Sequence, residues 1–220
     1  MNLDKLQDQC SAFVEERMAS DPAHDISHVR RVVANAVQLS DTERARHEIT
    51  LPAAWLHDCV SVPKNSGLRS QASRMAADEG GRFLASIGFP DVLREEVQHA
   101  IEAHSFSANI APRTLEARVV QDADRLEALG AIGIARCLLT GGAMGTPLYA
   151  NNDPFCRDRE PDDRAYTLDH FYRKLLGLPG SMRTEAGRTE AERRVAYMHE
   201  FLRTLEQEIS GHHQFLDRLE

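Results

Sequence analysis

The sequence predicts an all-α protein, and three observations carry that reading. Apolar residues recur at three- and four-residue steps along most of the chain. No segment alternates apolar and polar residues convincingly with period two. Glycine and proline are sparse, and several of them fall between the periodic stretches, as helix punctuation does.

The first helix is read from Leu3, Leu6, Cys10, Phe13 and Val14, which form one stripe, and Asp21-Pro22 ends it. Ile26, Val29, Val33, Ala36 and Val37 mark a second helix starting near Asp25. A short third helix is expected from about Leu51 to Cys59, with Pro52 in its first turn, where its missing N–H costs nothing. Pro63-Lys64-Asn65-Ser66-Gly67 reads as a loop. Residues 70–86 look helical, with Met75, Ala76, Phe83 and Leu84 available to the core; Gly88 closes that segment and Pro90 opens the next. Val92, Leu93, Val97, Ala100 and Ile101 carry the next helix toward His104. Leu115, Val119, Ala123 and Leu126 give another helical face, and 131–139 continues as helix after Gly130. From Thr140 to Asp163 the concentration of Gly, Pro and Asn predicts a long irregular segment, of the kind that serves as a lid. Helix resumes over 163–176, and a last long helix covers about 185–210.

A chain of 220 residues can bury a sizeable core without disulfides, and it is expected to form a single domain over 1–220. Within it, a core of about 20–140 is expected to carry a C-terminal helical extension of about 164–210 packed on it. The formal charge of −8 argues against stable nucleic-acid binding, which requires basic excess. Cys10, Cys59, Cys137 and Cys156 form no CxxC pair, so a thiolate zinc site is not expected. The N-terminus MNLDKLQDQC is polar and unlike a signal peptide, and no stretch approaches ~20 apolar residues. The expectation is a cytoplasmic protein without membrane association, with a homodimer possible.

Three clusters contain residue types that ligate metals: His24-Asp25-Ile26-Ser27-His28, Trp55-Leu56-His57-Asp58 and Gln121-Asp122-Ala123-Asp124-Arg125. Leu51 to Leu56 is mostly apolar, so His57 and Asp58 are expected to be partly buried, and a buried carboxylate is costly unless paired or metal-bound. Asp122 and Asp124 differ by about 200° on a regular helix, so only one can face a shared ion. Periodicity leaves open which; the other would orient a ligand or cap a neighbouring helix. Two imidazoles and two carboxylates suit a divalent transition metal with open water positions. Such a site lowers the pKa of water and neutralises phosphoryl oxygens.

This pattern of a His, a His-Asp doublet and a distant Asp resembles the HD-domain phosphohydrolases. HDISHVRRV, WLHDCVSVPK, SQASRMAADEG, IEAHSFSA, VVQDADRLEALGAIGIAR, PLYANNDPF, LDHFYRKLLGL and MRTEAGRTEAERR resemble the YpgQ/YedJ-like subgroup over about 24–208. The resemblance implies an HD-domain helical bundle around a single metal site, with His28, His57, Asp58 and Asp124 as ligands. It implies hydrolysis of nucleoside or deoxynucleoside triphosphates to monophosphate and pyrophosphate by metal-hydroxide attack, with a nucleotide as the small-molecule partner. Mn²⁺ is the favoured ion, with Mg²⁺, Co²⁺, Ni²⁺ or Fe²⁺ as alternatives. A phosphodiesterase, a phosphomonoesterase or a non-catalytic nucleotide-binding module are the other readings. Some HD nucleotidases carry a Glu soon after the doublet to handle the attacking water; here Cys59, Val60 and Ser61 follow, so another group, or the metal-bound hydroxide itself, must act. Lys64, His104, Arg125 and Asp122 are the catalytic candidates, the first three to offset phosphoryl charge and Asp122 to support the ligands. Lys64, Arg69, Ser73 and His104 are the candidates for substrate contact.

Overall fold

The computed structural model describes residues 1–18, 26–60, 62, 69–105 and 107–216, excluding the side chains of 18, 69 and 211–216. Among these residues no strand forms, and the fold is all-helical, as the periodicity predicts. The helices are α1 (Leu3–Met18), α2 (Ile26–Glu43), α3 (His47–Leu56), α4 (Ala72–Ser86), α5 (Asp91–His104), α6 (Leu115–Leu126), α7 (Gly130–Met144), α8 (Asp169–Arg173) and α9 (Glu185–Leu216). Short 3-10 turns occupy Arg69–Gln71 and Leu175–Ser181. No single described helix is long and apolar enough to cross a membrane.

The chain divides into two compact units, Met1–Glu127 with Met182–Arg188, and Ala128–Ser181 with Thr189–Glu220. In the first unit α3 is the central element. It touches α1, α2, α4, α5 and α6, and every residue from Ile49 to Leu56 is buried. A helix apolar on all sides has no face to offer water and is stable only when wrapped by others. The wrapping helices are amphipathic and bury one side each, among them Val29, Leu84, Ile101 and Leu126. Helix α4 comes especially close, because Gly80 and Gly81 have no Cβ. An added carbon at Gly80 would lie 3.3 Å from Leu56 Cβ, and at Gly81 only 2.3 Å from Gln98 Nε2.

Several boundaries differ from the sequence reading. Helix α3 begins at His47 and ends at Leu56, so Pro52 lies inside it. The proline leaves the Glu48 carbonyl without its usual helical donor, a loss confined to the first turn. Met75 and Val92 are exposed, because α4 and α5 turn Ser73, Ala76, Ala77 and Gly80, and Val97, Ala100 and Ile101, to the interior. Helix α7 continues through Gly141 and Gly142 and stops at Gly145, whose φ of 69° makes a left-handed cap. The predicted helix at 163–176 shrinks to α8 and the 3-10 turn after it. The predicted start of α2 near Asp25, the loop at 63–67 and Lys64 within it lie outside the described residues.

The second unit orders its irregular segment with carboxylates rather than secondary structure. Asp169 is fully buried and accepts from both terminal nitrogens of Arg159 at 2.5 and 2.7 Å, and from the Asp162 N–H at 2.6 Å. Asp153 accepts the N–H groups of Arg157 and Asp158 at 3.0 and 2.9 Å, closing the turn between them. Burial works against ionisation of Asp169, but the Arg159 guanidinium outweighs it and holds the carboxyl below its ordinary value. A depressed folded-state pKa contributes stability above the unfolded value and loses it as pH falls through the folded one. Asp169→Ala is therefore expected to destabilise by roughly 3–5 kcal/mol at neutral pH, with the gap to the native protein narrowing below about pH 4. Urea titrations at several pH values check this; a gap constant down to acid pH would contradict it.

Candidate metal centre

Four helices of the first unit bring the site together. Helix α2 supplies His28 near its start, α3 ends at the His57-Asp58 doublet, α5 ends at His104, and α6 carries Asp124. The last carbonyls of a helix have no intrahelical donor. His57 uses one of them: its Nδ1–H donates to Ala54 O at 2.8 Å. His104 does the same at the end of α5, donating to Ile101 O at 2.6 Å. Each bond fixes the ring with its proton on Nδ1 and turns Nε2 inward.

The inward atoms converge. His28 Nε2 lies 3.5 Å from Asp124 Oδ1, and His57 Nε2 lies 3.9 Å from the same oxygen and 3.6 Å from Asp58 Oδ2. Donor atoms of His28, His57 and Asp58 all lie within 4.8 Å of one another. His104 Nε2 is 3.6 Å from Asp58 Oδ1, and its ring stands edge-on to His57 with centroids 5.0 Å apart. His57 is fully buried, and its Nε2 has no hydrogen-bond partner among the described residues. Leaving such an atom unmet costs about 1–3 kcal/mol. Most of these separations are long for hydrogen bonds, yet they suit donors sharing one ion. Ligands about 2.1 Å from a metal stand roughly 3–3.5 Å from their neighbours. His28, His57 and Asp58 therefore fit a shared divalent cation, and Asp124 Oδ1, 3.5 and 3.9 Å from the two imidazole nitrogens, is the candidate fourth ligand.

The electrostatics agree with this use. Burial disfavours a charged His57 and lowers its pKa, keeping the ring neutral and able to ligate. Around Asp58, removal from water raises the pKa, but the His57 ring and a hydrogen bond with His104 hold it well below the carboxylate range. Burial likewise opposes ionisation of Asp124, while the facing His28 and the nearby His57 bring its pKa down to about 2. Both acids are anionic near neutrality.

Of the other candidates, His104 joins the cluster. Asp122 does not, and its expected part in supporting the metal ligands is corrected here. It faces the opposite side of α6 and is fully buried, accepting from the N–H groups of Arg183 and Thr184 at 2.9 and 2.8 Å and from the Thr184 hydroxyl at 2.8 Å. Its carboxylate thus seats the start of α9, the helix-capping alternative of the two that periodicity leaves open. Gly187 is needed there, since a Cβ would meet Asp122 Oδ2 at 2.5 Å. Arg125 is half-buried, and burial lowers its pKa while Asp122 raises it. Ser73 is buried in the first turn of α4, and its hydroxyl has no partner among the described residues. Arg69 opens the 3-10 turn before α4; its side chain, like Lys64, lies outside the described residues.

Two residues of this site escape the sequence reading. Glu127 is almost fully buried with Oε2 3.5 Å from His28 Nδ1, and Arg31 Nε donates to the same oxygen at 2.7 Å. The available signal was spacing: each follows a ligand, His28 or Asp124, by three residues.

A helical bundle that closes a His, a His-Asp doublet and a distant Asp around one point is the arrangement of the HD domain family, whose sequence pattern matches residues 25–129. This chain belongs to that family, and within it is YpgQ-like. It is 33% identical to the protein YpgQ of Bacillus subtilis (strain 168) over 212 residues, 94% of this chain and 95% of YpgQ. The crystal structure of B. subtilis YpgQ in complex with ADP matches with a TM-score of 0.74 at 32% identity, covering 94% of this chain and 97% of that one. An HD-superfamily hydrolase from Bacillus thuringiensis matches with a TM-score of 0.75 at 34% identity, covering 94% and 98%.

Two substitutions separate the faces of α6. Asp124→Ala, like Asp58→Ala, is expected to remove metal from the protein with helicity largely intact, as read by metal analysis and circular dichroism. Asp122→Ala is expected to keep the metal but lose roughly 1–3 kcal/mol for each buried donor left unmet, seen as a lower unfolding midpoint. Retention of full metal content by the Asp124 variant would contradict the ligand assignment.

Proposed function

We propose that this protein is a metal-dependent phosphohydrolase that cleaves nucleoside or deoxynucleoside triphosphates to the monophosphate and pyrophosphate. The observation that carries the reading is the unpartnered, buried Nε2 of His57 facing two carboxylates and a second imidazole. That donor set calls for a cation, and HD relatives include a hydrolase and a protein crystallised with ADP. Mn²⁺ is the proposed ion; Mg²⁺, Co²⁺, Ni²⁺ and Fe²⁺ are the alternatives to be screened. When bound, a divalent ion supplies Lewis acidity toward phosphoryl oxygens and lowers the pKa of water.

The chain's own groups would then do the following. His28, His57, Asp58 and Asp124 hold the charge centre at the ends of rigid helices, so little reorganisation is needed as charge builds on phosphorus. His104 is tied to Ile101 O through Nδ1 and has Nε2 near Asp58 Oδ1. Burial lowers its pKa and Asp58 raises it, the net direction being upward, and Nε2 is proposed to exchange a proton with a phosphoryl or leaving-group oxygen. Arg125 beside Asp124, and Lys64, are proposed to offset developing negative charge, with Arg69 and Ser73 contributing to substrate contact. Water adds to the α-phosphorus, the bond to the α–β bridging oxygen breaks, and pyrophosphate leaves.

A panel of nucleotides incubated with Mn²⁺, Mg²⁺ and Co²⁺, with products resolved by chromatography, tests the reading. Triphosphates are expected to give monophosphate and pyrophosphate, and His57→Ala to lower the rate by more than about 100-fold, since loss of even an outer partner of a ligand costs 10–100-fold. Release of inorganic phosphate alone would favour a phosphomonoesterase. Turnover only of diester substrates would favour a phosphodiesterase, and nucleotide binding without product would favour a non-catalytic module.

A further inference from the structure

Helices α2 and α6 meet through two rungs one turn apart. On the first, His28 Nε2 faces Asp124 Oδ1 at 3.5 Å; on the second, Arg31 Nε donates to Glu127 Oε2 at 2.7 Å. A diagonal joins them, because Glu127 Oε2 also lies 3.5 Å from His28 Nδ1. Glu127 follows the end of α6, and its side chain is only 2% exposed, so its charge needs a partner. Arg31 supplies one and, being a third exposed, reaches from the solvent edge inward.

From this geometry we infer that Glu127 and Arg31 are a positioning pair for His28, required for metal affinity although neither is a ligand. The Glu127 carboxylate accepts a hydrogen bond from the Nδ1–H of His28, which fixes the tautomer that leaves Nε2 bare toward Asp124. His57 and His104 obtain the same restraint from carbonyls of their own helices. For His28, Glu127 Oε2 lies within reach of Nδ1 at 3.5 Å. This acceptor comes from the residue that follows α6, not from the ring's own helix. A carboxylate also makes the ring a stronger ligand than a carbonyl does. Arg31, donating from Nε to the same oxygen at 2.7 Å, holds the carboxylate in place beside the ring.

The inference rests on the metal-holding part of the proposed function and not on turnover, so it is tested by binding. Apoprotein prepared with chelator is titrated with Mn²⁺ by calorimetry, and the Mn²⁺-induced rise in melting temperature is recorded. Glu127→Ala is expected to weaken Mn²⁺ binding about 10–100-fold. Glu127→Gln, which keeps an oxygen acceptor for the ring, should recover part of that loss, and Arg31→Met should lie between Glu127→Gln and the native protein. In a His28→Ala background, Glu127→Ala should add little further loss, because the pair acts through that ring. A merely structural role predicts instead a lower apoprotein melting temperature with unchanged Mn²⁺ affinity, and that result would overturn the inference. So would an equal Glu127→Ala effect with and without His28. Should Glu127→Ala fail to fold, the Gln and Met variants decide it by the same criterion. Native protein that binds Mn²⁺ tightly yet hydrolyses no nucleotide would sink the phosphohydrolase reading while leaving this comparison intact.

Discussion

Burial of α3 on every side is the constraint from which the first unit's chemistry follows. A helix with no polar face must be enclosed, and here five other helices enclose it. The doublet His57-Asp58 comes immediately after its last helical residue, where the chain leaves the core. His57 is thereby fully desolvated while the Asp58 side chain stays 41% exposed. One residue of the pair is a neutral, rigid nitrogen donor, and the other is an anion with access to water. Placing the doublet at the helix end also removes the difficulty that adjacent residues on a regular helix point about 100° apart.

The cluster is an electrostatic compromise that a cation would complete. Three imidazoles crowd within ring-contact distance, and two carboxylates face them. Each carboxylate is pulled toward its anionic form by the rings, while burial keeps His57 from becoming cationic in return. The result is a point surrounded by lone pairs and negative charge, with one nitrogen left without a partner among the described residues. Protein interiors avoid that combination unless something positive is bound there.

Much of this was legible in the chain, and the part that was not has identifiable causes. Helix identity followed from three- and four-residue spacing, and the all-α class holds among the described residues. Boundaries were harder where proline or glycine is accommodated inside a helix. Pro52 sits within α3, whose first turn starts earlier, and Gly141 and Gly142 lie within α7 because Gly145, with its left-handed backbone, is the actual stop. The convergence of His28, the doublet and Asp124 was expected from family resemblance, and the geometry now stands beside it. Spacing alone could not choose between Asp122 and Asp124, since helical phase gives their separation but not which neighbour lies on each side. Glu127 and Arg31 were hidden for a related reason: a charged residue in a helical stretch reads as a solvated face until a second helix is known to cover it.

That ambiguity in the QDADRLE stretch conceals a division of labour. Asp124 faces the imidazoles, and Asp122, about 200° around the same helix, binds the backbone of Arg183 and Thr184. One rigid rod therefore carries a carboxylate of the His–Asp cluster on one side and, on the other, the seat for residues 182–188. Thr184 extends the arrangement by accepting the Gly187 N–H at 3.0 Å, and the Ala186 N–H donates to Glu43 on α2 at 2.7 Å. The short segment thus ties α6 to α2, the two helices that contribute Asp124 and His28. Its hydrogen bonds brace the pair of helices whose spacing sets the distance between two ligands.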